Sequence, residues 1–206
     1  RGGRGKKAAQ LFPTSIAGEK INWIVLDDAS DPTATAKNVA KFLSETKVDM
    51  LMTGTTTPGV MAAAGPAADS KTPLIALAPN RLDGERFKWT FTMPQPIGLM
   101  AEPLLEHAKS KGYKTIGFLG YHPDAYGEVW IKAMEALSPK YGVTFGPIEG
   151  FARTDTSVTG QAVKLISVKP DAVLVVASGS PAAMAHSTLA ERGYKGQIYQ
   201  THGAPS

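Results

Sequence analysis

The sequence of 206 residues contains no cysteine. That absence excludes thiol nucleophiles, cysteine-ligated zinc and iron–sulfur clusters, and it suits an oxidising compartment where a stray thiol is a hazard. Long apolar runs are also missing: none approaches the roughly 20 residues needed to span a bilayer. No leader-like segment precedes the body, so an exported protein is expected here in processed or trimmed form. Charge is sparse, at 19% of residues, while 43% are hydrophobic, the balance of a folded globular chain rather than a disordered one. The formal net charge of +4 is concentrated in the opening RGGRGKK, through Arg1, Arg4, Lys6 and Lys7. A short Gly/Arg segment of this kind is more often a tag-like end than an RNA-binding tail. No nucleic-acid partner is expected, and residues 1–20 are set apart as a disordered, tag-like or truncated segment.

Enzyme signatures are equally scarce. The chain has no G-x-S-x-G elbow, no Walker A loop, no G-x-G-x-x-G opening a helix and no H-E-x-x-H. Its four histidines, His107, His122, His186 and His202, show no metal-ligand spacing. The protein is therefore expected to be no enzyme, with no metal and no cofactor. His107 and His186 fall in helical patterns, where a surface position is the default, whereas His122 and His202 stand at strand ends and suit ligand contact.

What is present is an alternation of short β-rich runs and longer helical patterns. Strands are expected at Asn22–Leu26, Met50–Thr53, Leu74–Leu77, Thr115–Leu119, Val143–Ile148, Ala172–Val176 and Gln197–Gln200. The continuous apolar run Val173-Leu174-Val175-Val176 suits a strand covered on both faces of a parallel sheet. Ile97, Met100, Ala101, Leu104, Leu105 and Ala108 make one helical stripe, and Tyr126, Val129, Trp130, Ala133, Met134 and Leu137 make another. Asp31-Pro32 and Thr57-Pro58 each place a cap residue before a proline suited to the first helical position. The repetition breaks at Ala78-Pro79-Asn80-Arg81-Leu82-Asp83-Gly84, a turn-rich stretch followed by a β-like run at Trp89–Thr92 and then Met93-Pro94-Gln95-Pro96. One lobe is placed at 21–93 and a second at 94–206.

Open parallel sheets bind ligands outside the carboxyl ends of their strands. That rule selects the loops at residues 27–31, 54–58, 78–80, 120–126, 177–180 and 201–203. The loop of Thr55, Thr56 and Thr57 sets hydroxyls at a helix start, where unpaired amides and the helix dipole favour a carboxylate or phosphate. Helix capping by Thr57 explains the same residues, and the two readings weigh about equally. Asp27 and Asp28 invite comparison with the Mg²⁺-holding acids of receiver domains. No phosphoacceptor ends the next strand, so capping or solvated roles are favoured. Tyr126 begins an apolar stripe, which points to a structural role, though the helix mouth also leaves it within reach of a ligand.

The run Ile24-Val25-Leu26-Asp27-Asp28-Ala29-Ser30-Asp31-Pro32, the segment Met52-Thr53-Gly54-Thr55-Thr56-Thr57 and the D-x-Y-G element Asp124-Ala125-Tyr126-Gly127 together resemble the leucine/isoleucine/valine-type periplasmic binding proteins of ABC importers. The resemblance runs from about Ile21 to the end. It implies an α/β, type I periplasmic-binding-protein fold: two Rossmann-like lobes with parallel sheets, joined by a hinge and closing on a ligand between them. By the same resemblance, Thr56, Thr57, Ala78 and Asn80 hold the ligand carboxylate, Tyr126 covers it from the other lobe, and Ser178 lines the cleft. The implied partners are a small carboxylate or amino acid ligand and the membrane subunits of an ABC permease. The receptor is expected to be monomeric and periplasmic. A ligand-sensing regulatory domain of the same fold is the alternative.

Two departures stand out. Where amino-acid-binding members carry an acid that pairs with the ligand ammonium, this chain has His202, a poor ammonium partner. The expected ligand is then an acid without an α-amino group, such as an aromatic or keto acid. Members of the family also begin with a further strand central to the first lobe and continue with more elements, so the chain is expected to be incomplete.

Overall fold

The computed structural model describes residues 13–54, 56–82 and 84–203. They divide into two compact units. Unit 1 holds the described residues up to Ala78 together with Leu82–Met93, and unit 2 holds Pro79–Arg81 and the chain from Pro94 onward.

Unit 1 opens with a small antiparallel hairpin, β1 (Ser15–Ile16) and β2 (Glu19–Lys20), where the sequence reading expected a tag-like end. The first 12 residues of that expected segment lie outside the described residues. The strand expected at Asn22–Leu26 does not form. A strand exists only through its ladder, and residues 21–28 pair with no strand among the described residues. Trp23, Ile24 and Val25 are exposed as a result.

Helix α1 (Pro32–Lys41) starts as the sequence dictates: the Asp31 carboxylate accepts from the Ala34 amide at 2.7 Å, and Pro32 supplies a preset φ at the first position. Strand β3 (Leu51–Met52), helix α2 (Thr57–Ser70), β4 (Leu74–Ala76) and β5 (Thr90–Thr92) follow. The three strands are parallel in the order β3-β4-β5, with Leu51 opposite Leu74 and Leu74 opposite Thr90. Leu51 and Leu74 pack with Val39, Ala63, Ala64 and Ala67 from α1 and α2, and Ala76 packs with Val60. The alternate positions Met52 and Phe91 are 46% and 53% exposed, so one face of this sheet lacks a covering layer among the described residues.

Unit 2 is built from α3 (Ile97–Ser110), β6 (Thr115–Tyr121), α4 (Ala125–Leu137), β7 (Thr144–Phe151), α5 (Thr159–Ser167), β8 (Ala172–Val176), α6 (Ser180–Glu191) and β9 (Gln197–Gln200). The strands are parallel in the order β7-β6-β8-β9. The chain moves from β6 to β7 in one direction and from β7 over to β8 and β9 in the other. Right-handed crossovers therefore put α4 on one face and α5 and α6 on the opposite face. All five residues of β8 are fully buried, which is the reason its sequence is an unbroken apolar run. The stripe foreseen on α3 is the buried one: Ile97, Ala101, Leu105 and Ala108 enter the core, with Met100 and Leu104 packed against it.

Strands β6 and β7 run further than periodicity indicated, to Tyr121 and Phe151. Gly120 pairs with Gly150 and Tyr121 with Phe151, extending the ladder past the expected ends at Leu119 and Ile148. Glycine at both positions breaks the β-propensity pattern without breaking the ladder. A Cβ on Gly127 would stand 1.6 Å from the Tyr121 carbonyl oxygen, so glycine is what lets the first turn of α4 settle against the end of β6.

Candidate functional site

In unit 1 the turn before α1 and the loop after β3 are held by local hydrogen bonds. Asp27 accepts from the Ala29 amide at 2.9 Å, and Asp28 accepts from the Ser30 amide at 2.9 Å and the Thr35 hydroxyl at 2.8 Å. These bonds support a turn in which Ala29 and Ser30 both adopt positive φ, at 50° and 62°. Both acids thus serve the turn and the start of α1. Among the described residues no group of three or more His, Asp or Glu is placed to hold a metal ion.

The Asp28 carboxylate also reaches the next loop, where a Cβ on Gly54 would lie 3.2 Å from its Oδ2. Here the cap of α2 is Thr56 rather than Thr57: its Oγ1 accepts from the Gly59 amide at 3.2 Å, and Thr57 is the first helical residue, with Pro58 behind it. The shift by one arises because Thr56 has extended backbone angles, φ −118° and ψ 137°, as a cap requires. Capping uses a lone pair of Thr56, and its hydroxyl proton remains a donor. Thr57 is buried, and the hydroxyl of Thr53 at the end of β3 is buried with no hydrogen-bond partner among the described residues. Ala78, just beyond β4, is buried against Val60 and Ala76.

Unit 2 assembles a denser constellation. Tyr121, the last residue of β6, is buried, and its hydroxyl donates to the Ser178 carbonyl at 3.2 Å and accepts from the Ser178 amide at 3.4 Å. Tyr126 donates to the Thr201 hydroxyl at 2.8 Å, tying α4 to the end of β9. Burial raises the Tyr126 phenol above its usual pKa, so it remains a protonated donor. The His202 ring meets the Tyr126 ring edge to face, with centroids 6.1 Å apart. His202 is exposed, but partial desolvation lowers its pKa, which favours the neutral imidazole. Gly179 donates to the Gly203 carbonyl at 2.9 Å, joining the loops after β8 and β9.

The charged groups here are paired. Asp124 caps α4 through the Tyr126 amide at 2.8 Å, and the Arg153 guanidinium forks onto it through Nε at 2.8 Å and Nη2 at 3.0 Å. The two side chains are only 28% and 15% exposed, so this is a desolvated bidentate pair rather than a surface contact. Arg153 also lies over the Tyr121 ring, 4.2 Å from its centroid. His122 Nδ1 meets Glu128 Oε1 at 2.7 Å.

Of the residues singled out in the sequence, Thr56, Thr57 and Ala78 lie in unit 1, at the start of α2 and the end of β4, and Asn80 groups with unit 2. Tyr126, Ser178 and His202 come together around Tyr121 and Thr201 at one end of the unit 2 sheet. Arg153 was missed. The strand-end rule selects its loop, but only when β7 is carried to Phe151 instead of stopping at Ile148. His107 and His186 are tied to β9, His107 to the Tyr199 hydroxyl at 2.7 Å and His186 to the Gln200 amide at 2.6 Å.

The family model described as periplasmic binding protein matches residues 6–205. No curated protein matches the chain. Among solved structures, an extracellular ligand-binding receptor from Rhodopseudomonas palustris HaA2 is 44% identical with a TM-score of 0.93; the match covers 98% of this chain and 56% of the receptor. A leucine-binding protein from Thermotoga maritima shares the fold at 19% identity and TM-score 0.86, covering 97% of this chain and 57% of that protein. A solute-binding protein of an ABC transporter from R. palustris, in complex with 4-hydroxybenzoate, does so at 16% identity and TM-score 0.82, covering 91% and 52%. The chain thus spans little more than half the length of the solved structures it resembles, and with its parallel α/β sheets and matching sequence it belongs to the type I periplasmic binding proteins.

Proposed function

We propose that the protein is the extracytoplasmic substrate-binding component of an ABC importer, and that its ligand is a small aromatic carboxylate lacking an α-amino group. The observation that carries the reading is the charge balance at the strand ends of unit 2. An ammonium group needs an uncommitted carboxylate. Asp124 is committed to Arg153 and Glu128 to His122, while the position at which amino-acid binders hold their acid is His202, whose partial burial favours the neutral form. The carboxylate of the ligand is assigned to the start of α2, where the hydroxyl proton of Thr56 accompanies the helix dipole. Thr57 and Ala78 are assigned to ligand contact in unit 1, and Asn80, Ser178, Tyr126 and His202 in unit 2, where the Tyr126 ring meets that of His202. The partners are the permease subunits, and the receptor acts as a monomer.

A thermal-shift screen of amino acids against benzoate-type acids tests the proposal, because a ligand that binds only the folded state raises the melting temperature by mass action. The expected outcome is a shift with an aromatic acid and none with leucine. A shift with leucine alone contradicts it. Mass spectrometry of ligand released from the purified protein gives an independent reading.

A further inference from the structure

The order β7-β6-β8-β9 contains one reversal, between the neighbouring strands β6 and β8, whose following segments leave in opposite directions. At such a switch point the loops diverge and open a crevice outside the carboxyl ends, where α/β sheets take their ligands. In unit 2 an aromatic ring stands at that end of the sheet: Tyr121 ends β6, and its hydroxyl bridges the backbone of Ser178 just beyond β8. The loop after the adjacent strand β7 brings Arg153 over this ring at 4.2 Å.

The way Arg153 is held decides what it can offer. Its Nε and Nη2 edge is occupied by the Asp124 fork, so its charge is already balanced by a carboxylate. That weakens any claim on a second anion. Its guanidinium carbon stands 4.2 Å over the Tyr121 ring, and among the described residues no second ring is placed over it. A delocalised, weakly hydrated plane pinned at its edge is a preorganised surface for another π system. From this geometry we propose that Arg153 is a specificity-determining residue, whose planar head, clamped by Asp124 and backed by Tyr121, stacks on the aromatic ring of the ligand. Asp124 and Tyr121 act as positioning residues for it. The proposal rests on the reading of the protein as a receptor for small aromatic carboxylates, and it assigns recognition of the ring to unit 2.

The test compares two acids of equal charge, benzoate and cyclohexanecarboxylate, by calorimetry on the wild-type protein and on Arg153→Met. The wild type is expected to prefer benzoate by about 3- to 30-fold, the range of a partly desolvated cation–π contact. Arg153→Met is expected to lose that preference, the two acids binding it with equal affinity. Arg153→Gln, which keeps a planar hydrogen-bonding head towards Asp124, serves in its place if the Met variant fails to fold, and the same loss is expected. Equal weakening of both acids makes Arg153 an anion contact and overturns the proposal. Unchanged preference in a folded variant, or no preference in the wild type, overturns it as well. A wild-type protein that binds neither acid removes its reading as a receptor for small aromatic carboxylates, and this proposal with it, whereas binding of both acids without discrimination removes only the role of Arg153.

Discussion

The two units are built from the same βα repeat, yet they differ in how fully they bury it. In unit 2, helices lie on both faces of a four-stranded sheet, and β8 is buried at every residue. In unit 1, α1 and α2 cover one face of three short strands, while Met52, Leu77 and Phe91 remain exposed on the alternate positions. Parallel sheets normally bury both faces. The contrast teaches that the apolar runs of unit 1 carry the signature of a two-sided sheet, of which the described residues supply one side. The groups at the strand ends differ in the same way: unit 1 carries hydroxyls at a helix start, and unit 2 carries rings and a clamped ion pair.

The largest effect separating the units is expected from core truncation. Phe118 is fully buried in unit 2 and meets Phe145 edge to face. Phe118→Ala should cost about 3–5 kcal/mol in denaturant unfolding, through lost transfer energy and the cavity left behind. Phe91→Ala on the open face of unit 1 should stay within about 0.5 kcal/mol. Comparable losses at both positions would show that the Phe91 face is covered in the protein in solution.

Gly127→Ala comes next. The added Cβ would fall 1.6 Å from the Tyr121 carbonyl, so α4 must shift, at an expected cost of about 1–3 kcal/mol or more for overpacking. Because the shift also pulls Tyr126 from Thr201, loss of ligand binding should exceed what the change in melting temperature explains. A smaller difference is expected in hydrogen exchange, with the amides of β6 and β8 outlasting those of β3 and β5. Equal protection would erase the distinction between the units.

The smallest effect concerns pH. His202 has a folded pKa below its unfolded value because partial burial disfavours the imidazolium. As pH falls below about 6.5, the unfolded state takes up a proton that the folded state resists, so this contribution to stability is present above that pH and is lost as acid is added. His202→Gln should therefore flatten the fall in melting temperature between pH 7.5 and 5.5 slightly. A steeper fall in the variant would mean that His202 is stabilised in its charged form.

Much of this organisation was legible in the sequence. Periodicity gave the buried stripes on α3 and α4, and Asp31-Pro32 marked the start of α1, because those signals are local. Long-range pairing was not local, and there the reading slipped. Asn22–Leu26 has strand composition but no ladder, whereas Gly120 and Gly150 lack strand composition and sit in one. The candidate site was legible wherever the expected strand ends were right, which brought Ser178 and His202 to the Tyr121–Tyr126 pair. It was hidden where β7 was cut short, which concealed Arg153. Nothing in the sequence shows that Tyr121 joins the loop after β8, since its hydroxyl bond to Ser178 spans 57 positions.

Calorimetric titration of the protein with a benzoate-type acid and, under identical conditions, with leucine is the most direct measurement of the central claim. The account predicts saturable one-to-one binding of the aromatic acid and no measurable heat with leucine. Tight binding of leucine without the aromatic acid would contradict it.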